Sequence, residues 1–292
     1  MSFLDFAAQN GLDIPLGKFY PSDKIKRCGT TDKPKSDNGA FFWDGQRGWV
    51  MNWSLDQKVH WYHDKTAKPW TEDEKQYWRD RRRVEAMKKS EAQVKAAQKA
   101  MRDLRFAILR DHIYLDVKGF RETEGLVLDE KLLVPMRNMR TNLIQGYQAI
   151  WWDKTKKDYV KKMLYGMKAA EAVFYIGKTK NTEYWLVEGY ATGLSLAEGL
   201  KRACIPATVV VCFSANNLGT VARYLASMGN VYIFADNDAS KTGQKVAEAS
   251  GCRWGMAETE GWDANDLHQR KGILALVRKI MEIRLDPLLK AV

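Results

Sequence analysis

Five carboxylates in the carboxy-terminal half of the chain stand where they could share one task. Glu188, followed by Gly189, closes the apolar run Tyr184-Trp185-Leu186-Val187. Asp236 and Asp238 stand two apart after Val231-Tyr232-Ile233-Phe234, and Asp263 and Asp266 follow the run Cys252 to Met256. Alternate residues of an extended segment face the same way, so Asp236 and Asp238 can serve one target. Carboxylates gathered at one place repel each other and acquire raised pKa values. A bound divalent cation removes that cost, and an all-oxygen donor set favours Mg²⁺ or Mn²⁺ over zinc. Taken singly, each acid is equally well explained as a helix cap or a loop residue. The joint arrangement is what points to a cation.

Zinc itself is not expected, because tetrahedral sites need closely spaced nitrogen and sulfur ligands. Cys28, Cys204, Cys212 and Cys252 include no C-x-x-C pair. Of the four histidines only His60 and His63 have helical spacing, in a run that looks like a strand.

Strands and helices in alternation must position the acids. Strands are expected over 184–187, 207–213, 231–234 and 252–256, with helices over 192–202, 218–228 and 243–250. Such alternation predicts an α/β fold with a mostly parallel sheet covered on both faces. Ligands of these sheets bind beyond the carboxyl ends of the strands, which is where the acids fall. Ser214-Ala215-Asn216-Asn217 follows the second strand at the same edge. It could hydrogen-bond a nucleotide or a metal-bound water, although a helix cap explains Asn217 equally well.

The upstream part differs in charge. Residues 181–292 hold 12 basic and 12 acidic residues, so the whole formal charge of +11 lies in residues 1–180. A neutral unit joined to a basic one suggests chemistry in the first and a polyanion track along the second. A solvated basic surface serving solubility alone is the other reading. Residues 1–68 are expected to form a small β-rich unit, with strands at 24–27, 40–43, 49–52 and 59–62 between turn residues. Six of the 11 tryptophans, Trp43, Trp49, Trp53, Trp61, Trp70 and Trp78, fall before residue 80 among lysines and arginines. That interleaving suits single-stranded nucleic acid, but the core of a small sheet accounts for most of them.

From Thr71 to about Arg110 there is no Gly or Pro, and Thr71 with Glu74 forms a capping box. Met87, Val94, Met101 and Ile108 recur every seventh residue beside Val84, Ala97 and Leu104, which predicts one long connector helix (69–111) with a single apolar seam. Its other face carries Arg79, Arg81, Arg82, Arg83, Lys88, Lys89, Lys95 and Lys99. Residues 112–180 look like a basic α+β subdomain, with strands at 132–136 and 146–150, and residues 181–292 form the α/β domain. The longest apolar run, near Val209-Val210-Val211, is too short to span a bilayer, and Met1 to Asn10 lacks the pattern of a signal peptide. With scattered thiols, this leads to the expectation of a cytoplasmic protein without a membrane partner.

Together, Glu188-Gly189-Tyr190-Ala191-Thr192-Gly193, Ala235-Asp236-Asn237-Asp238 with Gly243, and Asp263-Ala264-Asn265-Asp266-Leu267-His268-Gln269 resemble a Toprim domain. That family has a Glu after its first strand and a D-x-D after a later one, in primases, topoisomerases and some nucleases. The closer resemblance is to the phage and plasmid branch of Toprim DNA primases. It extends upstream to His112-Ile113-Tyr114-Leu115, Lys118-Gly119, Leu132 to Met136, and Gly166 with Lys168 before Phe174-Tyr175-Ile176-Gly177. The likeness covers roughly 112–285 and is weaker over 20–65. It implies a Rossmann-like Toprim catalytic domain and metal-dependent synthesis of short RNA primers from ribonucleoside triphosphates on a single-stranded DNA template.

On that resemblance Asp236 and Asp238 are the principal Mg²⁺ or Mn²⁺ ligands, and Glu188 is a ligand or the base for the 3′-hydroxyl. Asp263 or Asp266 completes the outer shell, while Lys162, Lys168, Arg137 and Asn216 guide template or hold nucleotide. Chromosomal bacterial primases place an aspartate where this chain has Thr192; the phage and plasmid branch tolerates Thr. No zinc-binding module can be built from these cysteines. No helicase P-loop is present either, so a replicative helicase would be a separate chain. A Toprim nuclease, or a non-catalytic single-stranded-DNA-binding or loading protein, is the alternative.

Overall fold

The computed structural model describes residues 1–55, 58–62, 71–178 and 182–285; His63 and Trp70 lie outside them. The chain divides into two compact units, Met1–Arg82 and Arg83–Val292.

The first unit, expected to be β-rich, opens with a helix, α1 (Phe3–Gln9). Ser2 starts it: its hydroxyl accepts the Asp5 N–H, and the Asp5 carboxylate accepts the Ser2 N–H. Five antiparallel strands follow in sequential order: β1 (Leu12–Asp13), β2 (Ser22–Thr30), β3 (Gly39–Trp43), β4 (Gly48–Asn52) and β5 (Val59–Tyr62). Helix α1 covers one sheet face, where Phe3 and Ala7 pack with Leu12, Phe41 and Val50. Trp43 belongs to this core, stacked on Phe3 at 4.7 Å, whereas Trp53 and Trp61 are exposed.

Helix α2 (Glu72–Phe106) runs from the first unit into the second. Its capping box is present: Thr71 N–H donates to Glu74 Oε2 at 2.9 Å, and Glu74 N–H to Thr71 Oγ1 at 3.2 Å. The expected apolar seam is only partly the buried one: Ala97 and Leu104 are half-buried, Leu104 against the cluster of Leu133, Tyr147 and Ala149. Met87, Val94 and Met101 are 57%, 54% and 54% exposed, and Ile108 lies beyond the helix in a strand. The buried row is Ala96, Ala100 and Asp103. Small alanines let the helix approach the sheet closely, and Asp103 is held by Tyr147 Oη at 2.8 Å and Lys99 Nζ at 2.6 Å. Periodicity located the helix, but a polar anchor chose its face.

The second unit continues with β6 (Ile108–Arg110), α3 (Ile113–Val117), β7 (Gly125–Leu128), β8 (Lys131–Asn138), β9 (Ile144–Asp153), β10 (Asp158–Met163) and β11 (Ala172–Ile176). The alternating part follows: β12 (Glu183–Val187), α4 (Tyr190–Arg202), β13 (Thr208–Val211), α5 (Ala215–Leu225), β14 (Asn230–Ala235), α6 (Thr242–Ala249), β15 (Arg253–Met256), α7 (Ala264–Lys271) and α8 (Ile273–Leu285). All seven expected elements between 184 and 256 are found, with ends shifted by a few residues.

These strands make one mixed sheet of ten, in the order β10-β9-β8-β11-β13-β12-β14-β15, with β7 pairing β6 and β8. Strands β13, β12, β14 and β15 are mutually parallel. Strand β11 is antiparallel to both β13 and β8, so the basic segment and the alternating segment share a sheet. Leu196, Leu200, Leu276 and Ile280 of α4 and α8 cover one face of the parallel part. Leu218, Val221, Leu225 and Ala247 of α5 and α6 cover the other. With both faces buried, β12, β13 and β14 read as nearly continuous apolar runs, whereas the edge strand β15 is half-buried throughout.

Candidate active site

The carboxyl ends of the parallel strands lie along one edge, and the chain turns there are short. Past β12 the backbone ladder continues by two bonds, Cys212 N–H to Val187 O at 2.8 Å and Phe213 N–H to Glu188 O at 2.9 Å. Glu188 is thereby held at the sheet's edge, half-buried, with its carboxylate accepting the Ala215 N–H in the first turn of α5. The unpaired amides of a helix start favour a carboxylate there. On the other side stands the first turn of α6. A Cβ on Gly243 would lie 2.7 Å from Glu188 Oε1, so a side chain there would push this carboxylate aside.

Asp236 directly follows β14. Its Oδ1 is buried and has no hydrogen-bond partner among the described residues. Burial, together with the negative charges of Glu188, Asp263 and Asp238, pushes its pKa up to about 8, against a downward pull from Lys161. Burial and Asp238 likewise push Glu188 above the usual carboxylate range, opposed by the Ala215 N–H. Asn237 pins the loop by donating to Ala257 O at 2.9 Å, and its own N–H reaches Trp262 O. Asp238 is exposed and accepts the Ser240 hydroxyl at 2.9 Å.

Asp263 and Asp266 are engaged in another task. Asp263 caps α7, accepting the N–H groups of Asn265 and Asp266, while Asp266 accepts the Asp263 N–H: a reciprocal capping box. Asp263 Oδ2 also accepts the Thr192 hydroxyl at 3.0 Å. An aspartate at 192 would meet Asp263 with like charge, so the threonine suits this environment.

The same segment ties the basic part to this edge. Asn265 donates to Lys118 O at 2.9 Å and to Ser195 Oγ at 3.0 Å, and Gln269 donates to Val117 O at 3.0 Å. His268 Nδ1 is 3.1 Å from Ser195 Oγ. Ser195 is fully buried, so this Ser–His pair joins α4 to α7 and offers no nucleophile.

The expected basic residues are dispersed. Lys168 pairs with Glu171 at 3.1 Å, Arg137 donates to Asn142 O in an exposed turn, and Asn216 is exposed at the start of α5. The buried member of that pair is Asn217, whose side chain bonds Glu171 N–H, Ala172 O and Cys212 O. Lys162 pairs with Ala149, whose face of β9 packs on α2. Its neighbour Lys161 points the other way, with its ammonium 5.6 Å from the Tyr114 ring, and it is the cation that lowers the Asp236 pKa. Lys161 was missed. Strand alternation separates the two lysines, but which face meets the acids depends on the β8–β11–β13 pairing, which the sequence does not display.

In charge, the site suits a divalent cation: a buried, unpartnered Asp236 oxygen beside a second carboxylate whose pKa is raised. It is not assembled as a cage, since among the described residues no three His, Cys, Asp or Glu side chains are gathered closely enough to hold one ion. The acids follow β12, β14 and β15 at the carboxyl edge of the parallel strands, where ligands of α/β sheets bind. A family model described as a Toprim domain matches residues 183–273, a stretch that holds Glu188, Asp236, Asp238, Asp263 and Asp266. Domains of this family occur in primases, nucleases and topoisomerases, are often catalytic, and typically bind divalent metal ions. No curated protein matches the chain.

Proposed function

We propose that this protein is a DNA primase of the phage and plasmid kind, joining ribonucleotides into short primers on a single-stranded DNA template. The observation that carries this reading is the placement of Glu188 and Asp236 beyond β12 and β14, with Lys161 as the nearby opposing charge. Glu188 and Asp236 would hold a Mg²⁺ or Mn²⁺ ion, joined by Asp238, whose carboxylate is now held by Ser240. Such an ion supplies positive charge to crowded phosphate oxygens and acidifies an attacking hydroxyl. If Asp236 and Asp238 hold the ion without it, Glu188, with its raised pKa, is instead suited to accept the proton of a 3′-hydroxyl. Lys161 offers a mobile cation to a nucleotide phosphate. Asp263 and Asp266 act through structure, fixing α7 and orienting Thr192.

The partners of this reading are a single-stranded template, ribonucleoside triphosphates and a replicative helicase. Along the described residues no helix is long and apolar enough to cross a membrane. The test is incubation with single-stranded DNA, labelled ribonucleotides and Mg²⁺ or Mn²⁺. New oligonucleotides that disappear with Asp236→Ala support the primase. Shortened DNA would make the protein a nuclease, and retarded but unchanged DNA a binding or loading module.

A further inference from the structure

The hairpin of β9 and β10 carries a feature that the acidic centre does not use. Trp152 is 48% exposed although it lies in a well-paired strand, directly opposite Tyr159. The Tyr159 ring meets the indole in a T-shaped contact at 5.1 Å, and the buried Tyr114 ring in another at the same distance. The indole is therefore held against Tyr159 while about half of the residue stays exposed. Two residues along β10, on the same side of the hairpin, Lys161 extends over Tyr114 and acts on Asp236. At the other end, the hairpin tip exposes Lys154, Lys156 and Lys157. The two acids here are engaged in the turn: Asp153 accepts the Thr155 and Lys156 N–H groups, and Asp158 accepts the Tyr159 N–H.

A fixed aromatic face with cations on both sides matches a polyanion that also offers π-faces. A protein strand or a lipid surface lacks one or the other, and a duplex hides its base faces in its own stack. We propose that Trp152 is a stacking platform for one unpaired base of a single-stranded nucleic acid. Lys154, Lys156 and Lys157 hold the phosphates on one side of that base, and the strand leads past Lys161 toward Asp236. This rests on the reading of the acidic centre as one that acts along a nucleic-acid strand, and it names the surface that receives the strand.

The test is fluorescence anisotropy of the full chain with a labelled oligothymidylate, the same backbone carrying abasic sites, and a duplex of equal length. Base stacking on an aromatic residue is lost on truncation to alanine, so Trp152→Ala should weaken oligothymidylate binding roughly 5- to 100-fold. Trp152→Phe should restore most of it, while abasic and duplex probes should not distinguish wild type from Trp152→Ala. Replacing Lys154, Lys156 and Lys157 together by alanine should flatten the salt dependence by about two units of slope, at roughly 0.7 per single-strand phosphate contact. Unchanged oligothymidylate affinity of Trp152→Ala, or an equal loss on abasic strands, overturns the platform while leaving the primase reading standing. Base-dependent binding through Trp152 without primer synthesis would instead uphold the platform and sink the primase reading.

Discussion

Replacing Asp236 by asparagine should stabilise the metal-free protein at alkaline pH and change nothing in acid. The carboxyl group has a pKa of about 8 in the fold, against 3.8 for the ordinary side chain. A folded-state value raised above the unfolded one contributes stability that is complete below about pH 4. That stability is lost as the pH climbs to about 8, because the fold must then accept a buried charge. A gap of roughly four units, at about 1.4 kcal/mol each, sets a ceiling near 6 kcal/mol. Asp236 is only half-buried, so water screens the charge and the expected effect is about 2–3 kcal/mol. The assay is urea unfolding in chelator from pH 4 to pH 8.5, followed by amide exchange in β12 and β14 so that the reading belongs to this sheet. Asp236→Asn should match wild type at pH 4 and exceed it by that margin at pH 8.5. Excess Mg²⁺ at pH 8.5 should then raise wild type, by about 1.4 kcal/mol at ten times its dissociation constant, and leave the variant unmoved. A gap that does not vary with pH, or a variant less stable at pH 8.5, would show that Asp236 is not a strained carboxylate awaiting positive charge.

Gly243→Ala places a methyl 2.7 Å from Glu188 Oε1; because the obstacle is the free end of a side chain, stability should fall by less than about 1 kcal/mol. Activity should nevertheless drop at least tenfold as the carboxylate is pushed aside, to be read as normal thermal unfolding beside a slowed primer assay. Lys161→Ala should depress primer synthesis strongly and raise the pKa of Asp236 further, whereas Lys162→Ala should affect either only slightly; carboxyl NMR titration and product gels distinguish them. Asn265→Ala removes the donor that satisfies Lys118 O and Ser195 Oγ, and should cost about 2–4 kcal/mol in urea unfolding. Asn265→Asp should not rescue it, since a carboxylate cannot donate.

Where elements are local in origin, they were legible. Strands β12 to β14 announce themselves as apolar runs because both faces are buried, and helix α2 because it lacks Gly and Pro and opens on a capping box. The acids could be placed at strand ends for the same reason. Their division of labour could not: Asp263 and Asp266 bond each other across one helical turn, while Asp236 is left with an unpartnered oxygen, and both arise from the same residue type. The face of α2 is legible only in part: Leu104 packs as its spacing predicts, but the helix is rotated so that Ala96, Ala100 and an Asp103 satisfied by Tyr147 and Lys99 are buried in place of Met87, Val94 and Met101. Lys161 and Lys162 cannot be told apart in the sequence, because adjacent strand residues differ only in direction, and direction is fixed by long-range pairing.

Strand β11 gives its first residues to β8, as Ala172 to Asn138 and Val173 to Arg137, and its last three, Phe174 to Ile176, to β13. The region matching the family model begins only at residue 183, so excising it would strip β13 of that neighbour and uncover a row of unpaired amides and carbonyls along Val209, Val210 and Val211. A bare, flat, valine-rich border is a template for intermolecular pairing. The acidic half is thus unsuited to life as a detachable cassette, and shuffling it onto another body would require the recipient to bring a sealing strand of its own.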